Sequence, residues 1–418
     1  MGGDGGAPQR GSTGEGKFAA LGIRDFRLYW SGLVAQVGGQ HMFQFTLGWL
    51  AFELTGSMAQ LSLIHLAAFV PQFGLTMLGG VLADRVDPRR LIQTAQTISC
   101  SAVIMVGVLV LLGRVELWHL AAGAFLLGLS NSIDEPTRAA FFPRLLPRTH
   151  LRSAVPLISM AFGGSRIVSP SIAGFLIAAA GAPAVFLLSA MGMSSMIAVL
   201  CLVRPAASGG PSHGSLLDNL TDSVRYIRAS EVFSKVILAA LLNAALVMGY
   251  AHMLPVFAKE VLGVDSRGLG ILATCAGIGA LSGLLTYPWV QARFTPRNVM
   301  VYALSAYTGA LALMALSHWY AVSCALLVLA GLSQAWFMTS SQVILQTLVE
   351  DNYRGRVMGV FTQVWSLVYL SGFLLNFTGA LVGPQIALAG GCTIVLVYVW
   401  LSLSRSKALR EVTLARPA

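Results

Sequence analysis

Three long stretches of this 418-residue chain, 167–203, 298–349 and 357–404, contain no Asp, Glu, Lys or Arg. Elements of a soluble fold carry charge because each has a face in water. Stretches this long without charge have lipid as their solvent. A helix needs roughly 20 apolar residues to cross a bilayer. The shorter charge-free segment 91–113 therefore reads as one span, and each long stretch as two, broken near Gly181–Pro183, His318–Trp319 and Gly383–Pro384. Only 11% of the chain is charged, against roughly a quarter of a soluble domain. The apolar runs are long and do not alternate, which favours helices over a barrel. The reading is an all-α membrane protein with about twelve spans, near 28–53, 58–83, 90–113, 117–142, 153–180, 183–203, 233–258, 267–291, 298–317, 319–345, 356–382 and 385–404.

The chain also repeats itself. The loop GGVLADRVDPRRL at 79–91 returns as VQARFTPRNVM at 290–300. Arg85 matches Arg293, Pro88 matches Pro296 and Arg89 matches Arg297, each offset by 208 residues. Two similar halves in one membrane chain are the common architecture of secondary transporters. The organisation expected is a disordered terminus over 1–20, a six-helix bundle over 21–203, a linker over 204–231, a second bundle over 232–404 and a tail over 405–418. The first 20 residues lack the apolar core of a cleaved signal peptide. Within the linker, Leu216, Leu217, Leu220, Val224 and Ile227 recur at helical spacing, the pattern of a short helix on the membrane surface.

The formal net charge of +10 raises the question of nucleic acid. Its distribution answers against it. With twelve spans, 22 of the 27 Lys and Arg residues fall on the side shared by both termini. That bias orients the chain with its termini in the cytoplasm, and the basic loops meet lipid headgroups. The five cysteines all fall inside apolar spans without metal-ligand spacing and read as small hydrophobic residues. No metal or cofactor is expected. There is no Walker A sequence, nucleophile–base set or HExxH, so neither ATP-driven transport nor enzymatic chemistry is indicated.

Four groups of polar residues stand out. In the first loop, Gly80, Asp84, Arg85, Arg89 and Arg90 place a carboxylate among arginines at the inner end of the second span. Either these charges set topology, or Asp84 latches the two halves through an arginine or a helix N-terminus. The fourth span ends with Asn131, Asp134, Glu135, Pro136 and Arg138. Ionised groups are costly in a membrane and mark function by default. Asp134 and Arg138 are four apart and share a face, while Glu135 points about 100° away. Arg166 in the fifth span needs a partner, with Asp134 or Glu135 the candidates. One carboxylate then either takes a proton when its arginine lets go, or holds a permanent structural pair. Third, Gln40, His41 and Gln44, Asn243, Gln334 and Trp336, and Gln363, Trp365 and Asn376 dot otherwise apolar spans, as cavity lining or as interhelical glue. Fourth, Arg354 and Arg356 open the eleventh span, as a docking surface for Asp84 or as membrane anchors.

These segments resemble the major facilitator superfamily. Gly80, Leu82, Ala83, Asp84, Arg85, Arg89 and Arg90 fit its cytoplasmic loop signature, with Asp87–Pro88 where Gly–Arg is usual. Asp134, Pro136, Arg138, Arg166 and Pro170, with Arg354–Met358, are similar to segments of the exporter-rich branch related to enterobactin and macrolide efflux proteins. Ser169 stands where the antiporter signature has Gly. The resemblance implies two six-helix bundles and a charge network around Asp84 that gates the inner face. It implies a central cavity between the first, fourth, seventh and tenth helices, placing Gln40, His41, Asn131, Asn243, Gln334 and Trp336 against substrate. The expectation is a monomer in a bacterial inner membrane that exports small amphipathic or lipophilic molecules in exchange for protons. A siderophore exporter, a lysolipid flippase and a non-transporting sensor or scaffold are the rivals.

Overall fold

The structure, a computed structural model, describes residues 19–203 and 225–410. Most of the linker, with Leu216, Leu217, Leu220 and Val224, lies outside the described residues, as do both termini. So do Gly80, Asp84, Arg85, Arg354 and Arg356 in everything but their place on a helix. The first half comprises α1 (Arg24–Thr55), α2 (Met58–Arg85), α3 (Pro88–Leu111), α4 (Leu117–Phe141), α5 (Leu151–Ala180) and α6 (Ala182–Leu202). In the second half, α7 runs over Glu231–Val261. It is followed by α8 (Ser266–Arg293), α9 (Pro296–Leu316) and α10 (Tyr320–Leu348). Next comes α11, in two segments Asp351–Thr362 and Leu367–Val382, and then α12 (Pro384–Leu403). Ten of these are long and apolar enough to span a membrane by length and composition alone. The other two, α1 and α4, carry the polar residues that matter below.

Local chemistry sets the helix boundaries and repeats between halves. Asp87 caps α3 by accepting from the Arg89 backbone N–H at 3.0 Å, with Pro88 in the first turn. Thr295 and Pro296, displaced by the same 208 residues, do this for α9. Both prolines occupy the position where a missing N–H costs nothing. Gly181 ends α5 with φ +80°, and Gly383 ends α11 with φ +91°. Both are backbone conformations that favour glycine, and each glycine also begins the next helix.

The matched arginines do matched work. Arg89 donates from Nη2 to the Cys201 carbonyl at the end of α6, at 2.9 Å. Arg297 donates to the Ser404 carbonyl at the end of α12. Each binds the third helix of its half to the exposed carbonyl end of the sixth, where a cation is favourable. Arg90 lies 4.0 Å from Asp87, and both are exposed.

Helices pack where glycine allows backbones to meet. Gly79 and Gly128 bring α2 against α4, at the carbonyls of Ser132 and Ala68. Gly279 and Gly331 do the same for α8 and α10. Small residues at such crossings are the membrane substitute for a water-driven core. Large apolar side chains meanwhile face outward: Leu285 and Trp319 are each 75% exposed. Apolar exposure on that scale is a lipid-facing surface.

The halves meet along α5 with α8 and along α2 with α11. Ile167 packs on Gly277, and the Ser171 and Thr274 hydroxyls bond. A Cβ on Gly174 would stand 2.5 Å from the Ser266 carbonyl. His65 and His252 stack with ring centroids 4.3 Å apart. All these contacts lie towards the α1–α2 and α5–α6 turns, away from the basic loops. One turn nearer the basic end of α5, a Cβ on Gly163 or Gly164 would meet nothing within 4 Å. The halves are thus closed at the end away from the basic loops. At the basic end, Tyr226 from the end of the linker stacks on Tyr353, with centroids 4.1 Å apart.

Candidate functional site

A buried polar arrangement of the first half begins at Asp134. It is buried and forms an ion pair with Arg138, also buried, one turn along α4. Arg138 Nη1 donates to Gln36 Oε1 at 2.8 Å, and Gln36 Nε2 to Gln40 Oε1 at 3.1 Å. Gln40 Nε2 then donates to Asn131 Oδ1 at 3.0 Å, and Asn131 Nδ2 reaches Gln72 Oε1 at 3.5 Å. This chain threads α4, α1 and α2 together. Asp134 Oδ1 and Arg138 Nε remain without hydrogen-bond partners, so the network is only partly satisfied.

The partner expected for Arg166 is not found. No ion pair joins it to Asp134 or Glu135 among the described residues. Arg138, on the same helix face, occupies Asp134 at the spacing that helix geometry favours. Arg166 instead lies over the ring of Trp365, with Cζ 5.1 Å from the centroid. Arg166 comes from the middle of α5 and Trp365 from the break between the two segments of α11, so this contact crosses between halves.

Glu135 turns away from the buried pair, as its 100° offset requires. It is exposed near the basic end of α4, and Arg166 is exposed midway along α5. On α11, the Tyr369 hydroxyl accepts from Gln44 Nε2 at 2.6 Å. His252 stacks on Tyr369, with centroids 5.5 Å apart. With Leu47, Ile64, His65 and Leu127, these residues line a small, mostly apolar pocket.

Two helices break at this level. In α7, the Asn243 carbonyl accepts from both Val247 and Met248, and the freed Gly249 N–H donates to Ser371 Oγ at 2.9 Å. In α11, a short tighter turn over Gln363–Trp365 separates the two segments. Irregular backbone at membrane depth occurs where it is buried in protein or lines a cavity.

The other residues expected at the cavity have different positions. Asn131 is buried in the chain described above. Asn243 is fully buried and donates to Gln334 Oε1 at 3.3 Å, joining α7 to α10. Trp336 Nε1 bonds the Gly283 carbonyl at 3.0 Å, joining α10 to α8. These contacts are interhelical glue in this conformation. His41 of α1 is half-buried. His65, His252 and Tyr369 were absent from the sequence reading. Their sole signal is a polar atom within an apolar span, which many structural residues share.

A family model described as transmembrane secretion effector matches residues 15–414. The chain is similar to a staphyloferrin A transporter of Staphylococcus aureus, 25% identical over 92% of this chain and 96% of that protein. It is also similar to the multidrug efflux pump Tap of Mycolicibacterium fortuitum, at 24% identity over 78% and 80%. Macrolide efflux protein A of Streptococcus pyogenes is 20% identical over 84% and 88%. Among solved structures, an inward-facing bacterial homologue of the human lysosomal transporter Spinster superposes with TM-score 0.74 at 13% identity, over 93% of this chain and 97% of that one. A bacterial ferroportin homologue, also inward-facing, gives 0.70 at 15%, over 92% and 99%. The all-α reading and the resemblance drawn from the loop and α4 segments agree with these matches. The chain belongs to the transmembrane secretion effector family of the major facilitator superfamily, and it is a multi-pass membrane efflux transporter rather than an enzyme.

Proposed function

We propose that the protein exports small amphipathic or lipophilic molecules by alternating access, in exchange for protons, with Glu135 as the proton-carrying group. One observation carries the choice of residue. Glu135 is exposed and has no ion-pair partner among the described residues, whereas its neighbour Asp134 is buried against Arg138. A coupling carboxylate must meet both proton and substrate, and a buried pair meets neither until it is broken. The basic loops face the cytoplasm by the charge bias of the chain. In that orientation the conformation described here is closed to the outside, and both termini are cytoplasmic.

In the return step, the halves rock so that the basic end closes. Asp84 at the end of α2 then approaches Arg354 and Arg356 at the start of α11, because α2 and α11 already touch at their opposite ends. Arg89, engaged with Cys201 within its own half, is a brace rather than a latch.

The test uses proteoliposomes under an imposed pH gradient, with a lipophilic cation, a macrolide and a catecholate siderophore as substrates. Wild type is expected to move at least one compound uphill. Glu135→Gln is expected to lose uphill transport while keeping downhill exchange, and Asp134→Asn to keep the dependence on the gradient in whatever fraction remains folded. Undiminished uphill transport by Glu135→Gln would remove that residue from the coupling. Movement of the siderophore alone would favour a dedicated siderophore exporter. Failure of all three compounds would favour the lysolipid and scaffold readings.

A further inference from the structure

We infer that Arg166 is the substrate-recognition residue of the central space and that the substrate it selects carries a carboxylate. The inference rests on the export reading above. It goes further, because amphipathic and lipophilic molecules include cations and neutral compounds, and this site distinguishes among them.

The argument begins with depth. Arg166 is halfway along α5, where an unpaired guanidinium is expensive. From Ile167 onward α5 is packed on α8, and before Arg166 the positions Gly163 and Gly164 open onto empty space. Arg166 therefore sits at the top of the space that leads to the basic end. It is exposed there, and among the described residues it has neither an ion pair nor a hydrogen bond. A residue with a purely structural role would be paired, as Arg138 is with Asp134 on its own helix and with Gln36 on α1.

The contact with Trp365 explains how the charge is held. A guanidinium over an indole is attracted by the ring and weakly hydrated. With no hydrogen bond or ion pair among the described residues, its N–H groups are free. They form a planar fork whose spacing matches two carboxylate oxygens. Because Trp365 belongs to the other half, an anion bound to Arg166 also touches the helix that must move. The geometry thus favours a carboxylate-bearing anion.

Purified transporter in detergent, with no gradient, would be titrated with 1-naphthoate, its neutral isostere 1-naphthamide and 1-naphthyl phosphate, following tryptophan fluorescence. Saturable binding of the carboxylate is expected, tighter than that of the amide. Arg166→Gln is expected to weaken naphthoate by on the order of tenfold to a hundredfold and to leave naphthamide unchanged. Arg166→Lys should recover part of the loss, since the charge returns without the fork. Thermal unfolding of each variant separates lost binding from lost fold. Equal affinity for acid and amide, absence of saturable naphthoate binding, or an Arg166→Gln variant that binds naphthoate normally would each overturn the inference. Tighter binding of the phosphate would also overturn it and point to a phosphorylated ligand or lipid headgroup. The binding needs no proton gradient. A failure of proton-driven export with naphthoate selectivity intact would therefore count against the export reading alone.

Discussion

Arg138→Met alone is expected to destabilise the protein by about 3–5 kcal/mol, and Asp134→Leu alone by a similar amount. Each single change leaves a charge buried beside apolar helices with nothing to neutralise it. The double variant, Asp134→Leu with Arg138→Met, is expected to regain most of that loss. The desolvation cost falls on both ions, and the native network does not fully offset it, since Asp134 Oδ1 and Arg138 Nε are unpartnered. Gln36 loses one donor but keeps its bond to Gln40. The thermal midpoints of the four proteins in the same detergent form a double-mutant cycle. Strict additivity would show that the pair is not coupled and would remove the structural role assigned to it. A double variant that is stable but fails to transport would instead show that the charges serve a step the static structure does not display.

What could be read in the sequence divides along a physical line. Spans and turns were legible because the features that end helices are local: Asp87–Pro88, Thr295–Pro296, Gly181 and Gly383 act within a turn of their own position. The Asp134–Arg138 pair was legible for the same reason, since four residues along one helix fix their relation. The divergence of Glu135 from Asp134 followed from the same periodicity.

Contacts between helices were not legible. Whether Asp134 would meet Arg166 depended on the rotation of α5 about its own axis, and periodicity leaves that rotation free. The stack of His65, His252 and Tyr369 joins three helices from two halves, and nothing in the spacing of 65, 252 and 369 connects them. The breaks in α7 and α11 were missed because Gly249 was the only local cue, with no proline at either break. Asn131 and Asn243 show the ambiguity in its plainest form. A polar residue in an apolar span announces that it needs a partner, but not whether that partner is another helix or a substrate.

The second large effect concerns the seam between the halves. Gly174→Leu is expected to reduce transport by roughly five- to 150-fold while the protein still folds. The glycine Cβ position lies 2.5 Å from the Ser266 carbonyl and 3.0 Å from the Gly270 Cα. Those are backbone atoms of α8, which cannot rotate out of the way as a side chain would. Overpacking a tight contact costs about 1–3 kcal/mol. Here that cost applies only when the end away from the basic loops is closed, because the two helices belong to different halves. A penalty confined to one conformation shifts the equilibrium against it by roughly five- to 150-fold. A transporter that must pass through the closed form slows accordingly. The shift itself is measurable. With the native cysteines removed and Ser171→Cys introduced, a membrane-impermeant thiol reagent should label the Gly174→Leu protein from outside far faster than its Gly174 parent. Gly164→Leu, whose Cβ meets nothing within 4 Å, should leave that labelling unchanged. If Gly174→Leu transports normally with position 171 still protected, closure of this seam is not part of the cycle. The contacts between α5 and α8 would then belong to a fixed scaffold.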